Sequence, residues 1–286
     1  PLNPHWFPLG SILIYMLVLA RSLIEPFRDM NSLQDMAYIG RSIAALADVG
    51  TVFMVYLLGK RIFSKGAGLL AAGLVALAVV HIQISHFYRP EPLLVFFLMV
   101  SLWYMLQVME RGRLRDSFLL GVFVGLTMAT KVSVLPMIFP LVLAYGFRLH
   151  TLSGGGWNVP TEAAGRRVVS HALLGGGVAL TAFFLVTPYA LLDMVQFAND
   201  QIWQAQNVAS TAGKVPFTVQ YMDTTPLLYE VQQTTIWGLG IPLGIVAWSG
   251  LVFTIFKVFK GRPGFKGELL LLAWVVPNIL LLATLE

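Results

Sequence analysis

The densest group of chemically capable side chains in the sequence is His86-Phe87-Tyr88-Arg89-Pro90-Glu91-Pro92, set between two long apolar runs, 67–85 and 93–109. Ionisable groups placed where a hydrocarbon span ends are costly, and they usually have a task. A guanidinium at that depth can hold phosphate oxygens through charge-assisted hydrogen bonds. Glu91 follows a proline and opens a span, so its carboxylate lies at a helix N-terminus, where the dipole favours negative charge. From there it can pair with Arg89 or Arg41, or assist a metal or an acceptor. His5, Arg28, Arg41, Asp48 and Lys131 fall toward the same boundary, with Tyr88 and Tyr189 beside them. Arg89, Lys131 and Arg41 together would make a receptor for a phosphate or diphosphate held at the level of lipid headgroups. Plainer roles stand beside these: interfacial anchoring for Arg89 and Glu91, snorkelling for Lys131, a buried polar contact for Asp48, and structural roles for His5 and His86. Two histidines alone define no metal site.

These residues have to be positioned by a bilayer-embedded scaffold. The chain has 286 residues, 57% hydrophobic and 12% charged, a balance that no ordinary soluble domain reaches. It reads as one all-α domain over 1–286, a polytopic transmembrane helical bundle with extracytoplasmic juxtamembrane segments, cut at both ends. The absence of cysteine excludes disulfides and thiolate metal sites. A net charge of +5 is read as loop bias, and no nucleic-acid partner is assigned. There is no Walker loop, no HExxH, no dinucleotide fingerprint and no serine-hydrolase spacing.

Spans are expected over 36–58, 67–85, 93–109, 168–187, 236–256 and 269–285, with 118–130 and 132–147 forming a hairpin or re-entrant bend at Lys131 and Pro136. Residues 7–24 either cross or lie along the surface. The loops 59–65, 110–116, 148–167 and 257–267 carry 3, 3, 3 and 4 basic residues, thirteen of the nineteen in the chain, whereas 188–233 carries Asp193, Asp200, Asp223 and Glu230 against one lysine. Because positive charge collects in cytoplasmic loops, this alternation puts the Arg89 cluster, Lys131 and the 188–233 loop on one extracytoplasmic face.

Five stretches in order resemble the C-type integral-membrane glycosyltransferases, in the branch of protein O-mannosyltransferases and aminoarabinose transferases. Pro1-Leu2-Asn3-Pro4-His5-Trp6-Phe7-Pro8 looks like that family's Pro-rich lead-in to a juxtamembrane helix. Arg41 through Lys60-Arg61-Ile62-Phe63, with Ala67-Gly68-Leu69-Leu70-Ala71-Ala72, resembles its next span and basic turn. The segment from His81 to Leu94, containing Arg89-Pro90-Glu91, is similar to its Arg-Pro-Asp/Glu signature. Gly125-Leu126-Thr127-Met128-Ala129-Thr130-Lys131 is similar to its Gly-rich helix ending in Thr-Lys, and Thr187-Pro188-Tyr189-Ala190-Leu191-Leu192-Asp193 to a later Asn-Pro-Tyr motif.

The resemblance implies inverting transfer of a sugar from a polyprenyl-phosphate donor to a protein or lipid acceptor, at the extracytoplasmic face of a bacterial inner membrane. Arg89, Lys131 and Arg41 would hold the lipid phosphate, Glu91 would organise the site, and His5, His86, Tyr88 and Tyr189 would border the donor pocket. It also makes residues 7–24 juxtamembrane, places the main catalytic carboxylate upstream of Pro1, and implies a divalent metal for which the sequence shows no ligand motif. Two other readings compete with it. One is a non-catalytic membrane subunit of a larger assembly; the other is a transporter of an anionic lipid, motivated by the broken helices around Lys131.

Overall fold

A computed structural model describes residues 3–29, 32–154, 161–207, 216–225, 227–261 and 265–283. Pro1, Leu2, Lys214, Arg262 and parts of the 148–167 and 188–233 loops lie outside the described residues. The helices are α1 (Ile12–Ile24), α2 (Leu33–Ile62), α3 (Lys65–Ala76), α4 (Val79–Ser85), α5 (Pro90–Glu110) and α6 (Leu114–Thr130). A 3-10 turn, Val132–Met137, leads into α7 (Ile138–Leu152), followed by α8 (Glu162–Val186), α9 (Tyr189–Leu192) and α10 (Met194–Asn207). After the short α11 (Leu228–Gln233) and a π-helical turn come α12 (Ile241–Phe259) and α13 (Lys266–Ala283). The described residues contain no strand.

Local sequence explains most of the helix starts. Ser32 and Ser64 cap α2 and α3, accepting the Asp35 and Ala67 backbone N–H groups at 3.1 Å each, which satisfies donors that would otherwise be orphaned. Pro90 sits in the first turn of α5, where its missing N–H costs nothing. Among the described residues, five elements are long and apolar enough to cross a membrane, α2, α5, residues 132–152, α8 and α12, or six if the bent pair α3 and α4 is one span. The chain is a membrane protein.

α5 forms the centre. Of its most apolar stretch 67% is buried, against 6% for α12, and α2, α6, α7 and α13 pack around it. The closest helix pairing is α6 with α8, where Gly121 and Gly125 face the carbonyls of Gly175 and Ala179. Without a hydrophobic drive between helices in lipid, such small-residue contacts supply much of the association. Leu46, Val49 and Phe53 on α2 remain exposed, as a lipid-facing stripe must.

One expected span is broken, and the pair around Lys131 takes the hairpin form expected as one of two. The run 67–85 is broken into α3 and α4, which meet at 59°. Ala78 is 1% exposed and takes an extended backbone, so packing overrides a sequence that holds no proline at the break. The 118–130 and 132–147 pair is a hairpin: α6 ends at Thr130, Lys131 is extended, and the chain returns through 132–152. The last long helix before the final one starts at Ile241, after Gly240 at φ +82, rather than at 236. Residues 188–233 contain α9, α10 and α11 instead of unbroken loop.

Candidate functional site

A non-helical strap, residues 3–10, organises the end of the bundle that carries Arg89. The Gly10 N–H donates to the Thr130 carbonyl at 3.2 Å. A Cβ on Gly10 would stand 1.7 Å from the Ala129 carbonyl oxygen, so a side chain would push the strap off the end of α6. Three residues on, the Leu13 carbonyl accepts the Tyr88 hydroxyl at 2.5 Å. The Tyr88 ring in turn lies on Gly40, where a Cβ would come within 2.6 Å of it. Gly10 and Leu13 are about one helical turn apart. One short stretch therefore touches Thr130, which precedes Lys131, and Tyr88, which precedes Arg89 and rests on the residue before Arg41. The contacts thus reach the chain neighbours of all three predicted cations, Thr130, Tyr88 and Gly40.

Their electrostatic states differ. Arg89 Nε donates to Glu91 Oε2 at 3.1 Å, and the arginine is 58% exposed. Arg41 and Lys131 have no side-chain hydrogen bond or ion pair among the described residues. Nearby carboxylates are engaged in holding the strap. Asp193 accepts from Asn3 Nδ2 at 3.0 Å and stands 3.7 Å from His5 Nδ1. Asp200 accepts the Phe7 N–H at 2.7 Å, while Gln201 Nε2 donates to the Phe7 carbonyl at 2.6 Å. Phe7, 2% exposed, packs edge-on against Phe197 with ring centres 5.8 Å apart. His5 adopts φ 50, its N–H taken by Asn3 Oδ1.

Burial pushes the Tyr88 phenol up to about 12, so it stays a donor to Leu13. Burial also raises Tyr15 on α1, helped by the neighbouring Tyr189, which sets Tyr189 beside the same helix. His86 does less: its Nδ1–H donates to Ile82 within the α4 turn, and its ring is exposed. Arg28 is drawn away to Asp35 at 3.4 Å.

Sequence reasoning passed over His81. Its Nδ1 lies 2.7 Å from Asp48 Oδ1, and the two side chains are 24% and 18% exposed. Together with Glu91, Val80, Ile84 and Pro92 they line a cavity of about 230 Å³ between α2, α4 and α5. The available signal was that a mid-span aspartate needs a partner; a spacing of 33 residues hides which one. Glu91 thus faces both Arg89 and this cavity. No three His, Asp or Glu side chains converge as a metal site among the described residues. Asp48 is taken by His81 and Glu91 by Arg89, so these residues do not fit a resident divalent metal.

Residues 34–153, which span the α2–α7 region and include Arg41, Arg89, Glu91 and Lys131, match the family described as dolichyl-phosphate-mannose-protein mannosyltransferase. Over those residues the chain is similar to that mannosyltransferase family. The chain is also similar to YkcB of Bacillus subtilis (strain 168), a candidate mannosyltransferase by its description, at 34% identity over 103 residues. That match covers 35% of this chain and 14% of the Bacillus protein. In three dimensions the chain is similar to the oligosaccharyltransferase of Archaeoglobus fulgidus, whose crystal structure is a complex with Zn and sulfate. The TM-score is 0.61 at 16% identity, over 96% of this chain and 38% of that one. The second likeness is one of fold, and the chain spans well under half the length of either protein.

Proposed function

We propose that the Arg89 end of this chain binds the phosphate of a polyprenyl-phosphate-linked sugar and presents the sugar for inverting transfer to a protein or lipid acceptor on the extracytoplasmic side. The observation that supports this reading is that Lys131 and Arg41 have no carboxylate partner among the described residues, while Gly10 and Leu13 contact Thr130 and Tyr88, the residues that precede Lys131 and Arg89. Cations left unneutralised at a bilayer boundary favour an anionic ligand.

In the reaction the acceptor oxygen forms a bond to the anomeric carbon as the bond from that carbon to the phosphate oxygen breaks. The acceptor's proton leaves to a base, and the lipid phosphate departs with the electron pair. Lys131, Arg41 and the unused guanidinium nitrogens of Arg89 stabilise the charge that develops on the phosphate. Glu91 fixes the Arg89 head through their ion pair, and Tyr88 holds α1, α2 and α5 in register around it. His5 and Tyr189 border the donor on the strap side, with His86 at the rim.

The test is donor binding by purified full-length protein in nanodiscs, read with a labelled polyprenyl-phosphate sugar. Hydrogen bonds to charged groups contribute about 1.5–3 kcal/mol, so Lys131→Ala and Arg89→Ala should each weaken binding roughly 10- to 100-fold, with Arg41→Ala weaker in effect. Unchanged affinity in all three variants refutes the assignment.

A further inference from the structure

At the opposite, basic end of the bundle a cavity of about 480 Å³ opens between α2, α5, α7 and α13, lined by Arg61, Ile62, Glu110, Thr151, Phe265 and Lys266. Its volume falls within the roughly 300–1,000 Å³ of small-ligand pockets. Arg61 sets Nε and Nη2 against the Glu110 carboxylate, so that pair is neutral overall, and the guanidinium Nη1 has no partner among the described residues. Thr151 donates its hydroxyl to the Phe147 carbonyl at 2.9 Å and offers the cavity no proton. Lys266 is different. Its ammonium stands 5.4 Å over the Phe147 ring, an attraction that holds a cation in place without cancelling its charge. No carboxylate pairs with it among the described residues.

The cavity therefore carries one net positive charge, set between two donors and two apolar walls, at the depth where the transmembrane helices end. Arg148, which donates to the Glu110 carbonyl at 3.2 Å, adds to the positive field. We propose that this cavity binds a phosphate group carried by an anionic phospholipid. The phosphate sits between Lys266 and the free edge of Arg61, and the first carbons of the lipid run along Ile62 and Phe265. A soluble phosphate would be served by the cations alone; the apolar walls at a membrane boundary select the lipid form, as in other basic pockets between transmembrane helices. The site is independent of the donor site proposed above, since it lies at the other end of α5.

The experiment is native mass spectrometry of the full-length protein released from nanodiscs containing equal phosphatidylglycerol and phosphatidylcholine, with retained lipids counted. Phosphatidylglycerol should be retained at least fivefold over phosphatidylcholine. Lys266→Gln should remove the preference and Lys266→Arg should keep it. Lys60→Gln should leave it unchanged, because Lys60 stands over the Tyr56 ring and does not line the cavity. Equal retention of the two lipids by the wild type, or a Lys266→Gln variant that keeps the preference, overturns the proposal. A parallel arm adds inorganic phosphate alone and reads thermal unfolding. Stabilisation by phosphate that Lys266→Gln abolishes, without any lipid preference, would assign the site to a soluble phosphate and overturn the lipid form.

Discussion

At the basic end of the bundle several cations are fastened. Arg61 is clamped on Glu110, Arg148 donates to the Glu110 carbonyl, and Lys257 on α12 pairs with Glu268, itself 1% exposed. At the Arg89 end the carboxylates are occupied differently: Asp193 and Asp200 hold the strap, Asp48 holds His81, and Arg41 and Lys131 stand without an acid among the described residues. The contrast separates two uses of charge within one membrane domain. Pairs that close on each other fasten helices, and only cations left open can receive a ligand. Among the described residues, Lys266 is the cation lining the basic-end cavity that no carboxylate neutralises.

The comparison breaks most visibly at Glu268. Removing one partner of a buried pair leaves an uncompensated charge, so Glu268→Ala should lower unfolding free energy by about 3 kcal/mol, while replacing both Lys257 and Glu268 by apolar residues should restore most of it. Titration of unfolding with a denaturing detergent measures both, and a neutral Glu268→Ala would mean that this end is not fastened by its ion pair. Next comes Gly10→Ala, which drives a methyl group into the Ala129 carbonyl. It should cost about 1–3 kcal/mol as an overpacked contact and weaken donor binding beyond what the stability loss explains.

Tyr88→Phe deletes the hydrogen bond to Leu13 and should cost about 1 kcal/mol at neutral pH. Its pH dependence is sharper. The folded phenol titrates at about 12, above its ordinary 10.0, so the folded state binds more protons than the unfolded chain through that interval. The contribution of Tyr88 is complete below pH 10 and is lost as pH rises from 10 toward 12. Unfolding measured from pH 9 to 12 should show this loss in the wild type and lack it in Tyr88→Phe. The smallest effect belongs to Arg166→Ala. Its pair with Glu162 joins side chains 75% and 83% exposed, and such pairs contribute less than about 0.5 kcal/mol. A larger loss would show that not only buried pairs fasten the basic end.

Much of this was readable from residue order. The proline and acid after Arg89 announced the start of α5, and the basic loops pointed to the alternation of spans. The expectation that Arg41, Arg89 and Lys131 share one end rests on the same alternation. What remained hidden depends on contacts across helices. Nothing near Ala78 marks a break, because the run is uniformly apolar and the bend comes from how that alanine is buried. Asp48 was noticed but its partner was not, since a histidine 33 residues away on a bent helix has no fixed phase relative to it. The polar character of 188–233 suggested loop, yet α10 forms there because one side of it, through Phe197 and Asp200, has the strap to pack on.

The strap also sets an order of assembly. Phe7 is joined to Asp200 and Gln201 by hydrogen bonds that span 193 and 194 residues. At a synthesis rate of roughly 5–20 residues per second, the first segment waits on the order of 10–40 s before its partners exist. For that interval the Arg89 end has its early helices but not the clasp over them. The clasp over the end with open cations therefore forms only once residue 201 has been made, and a chain arrested before residue 200 would carry α5 and α6 without a finished donor site.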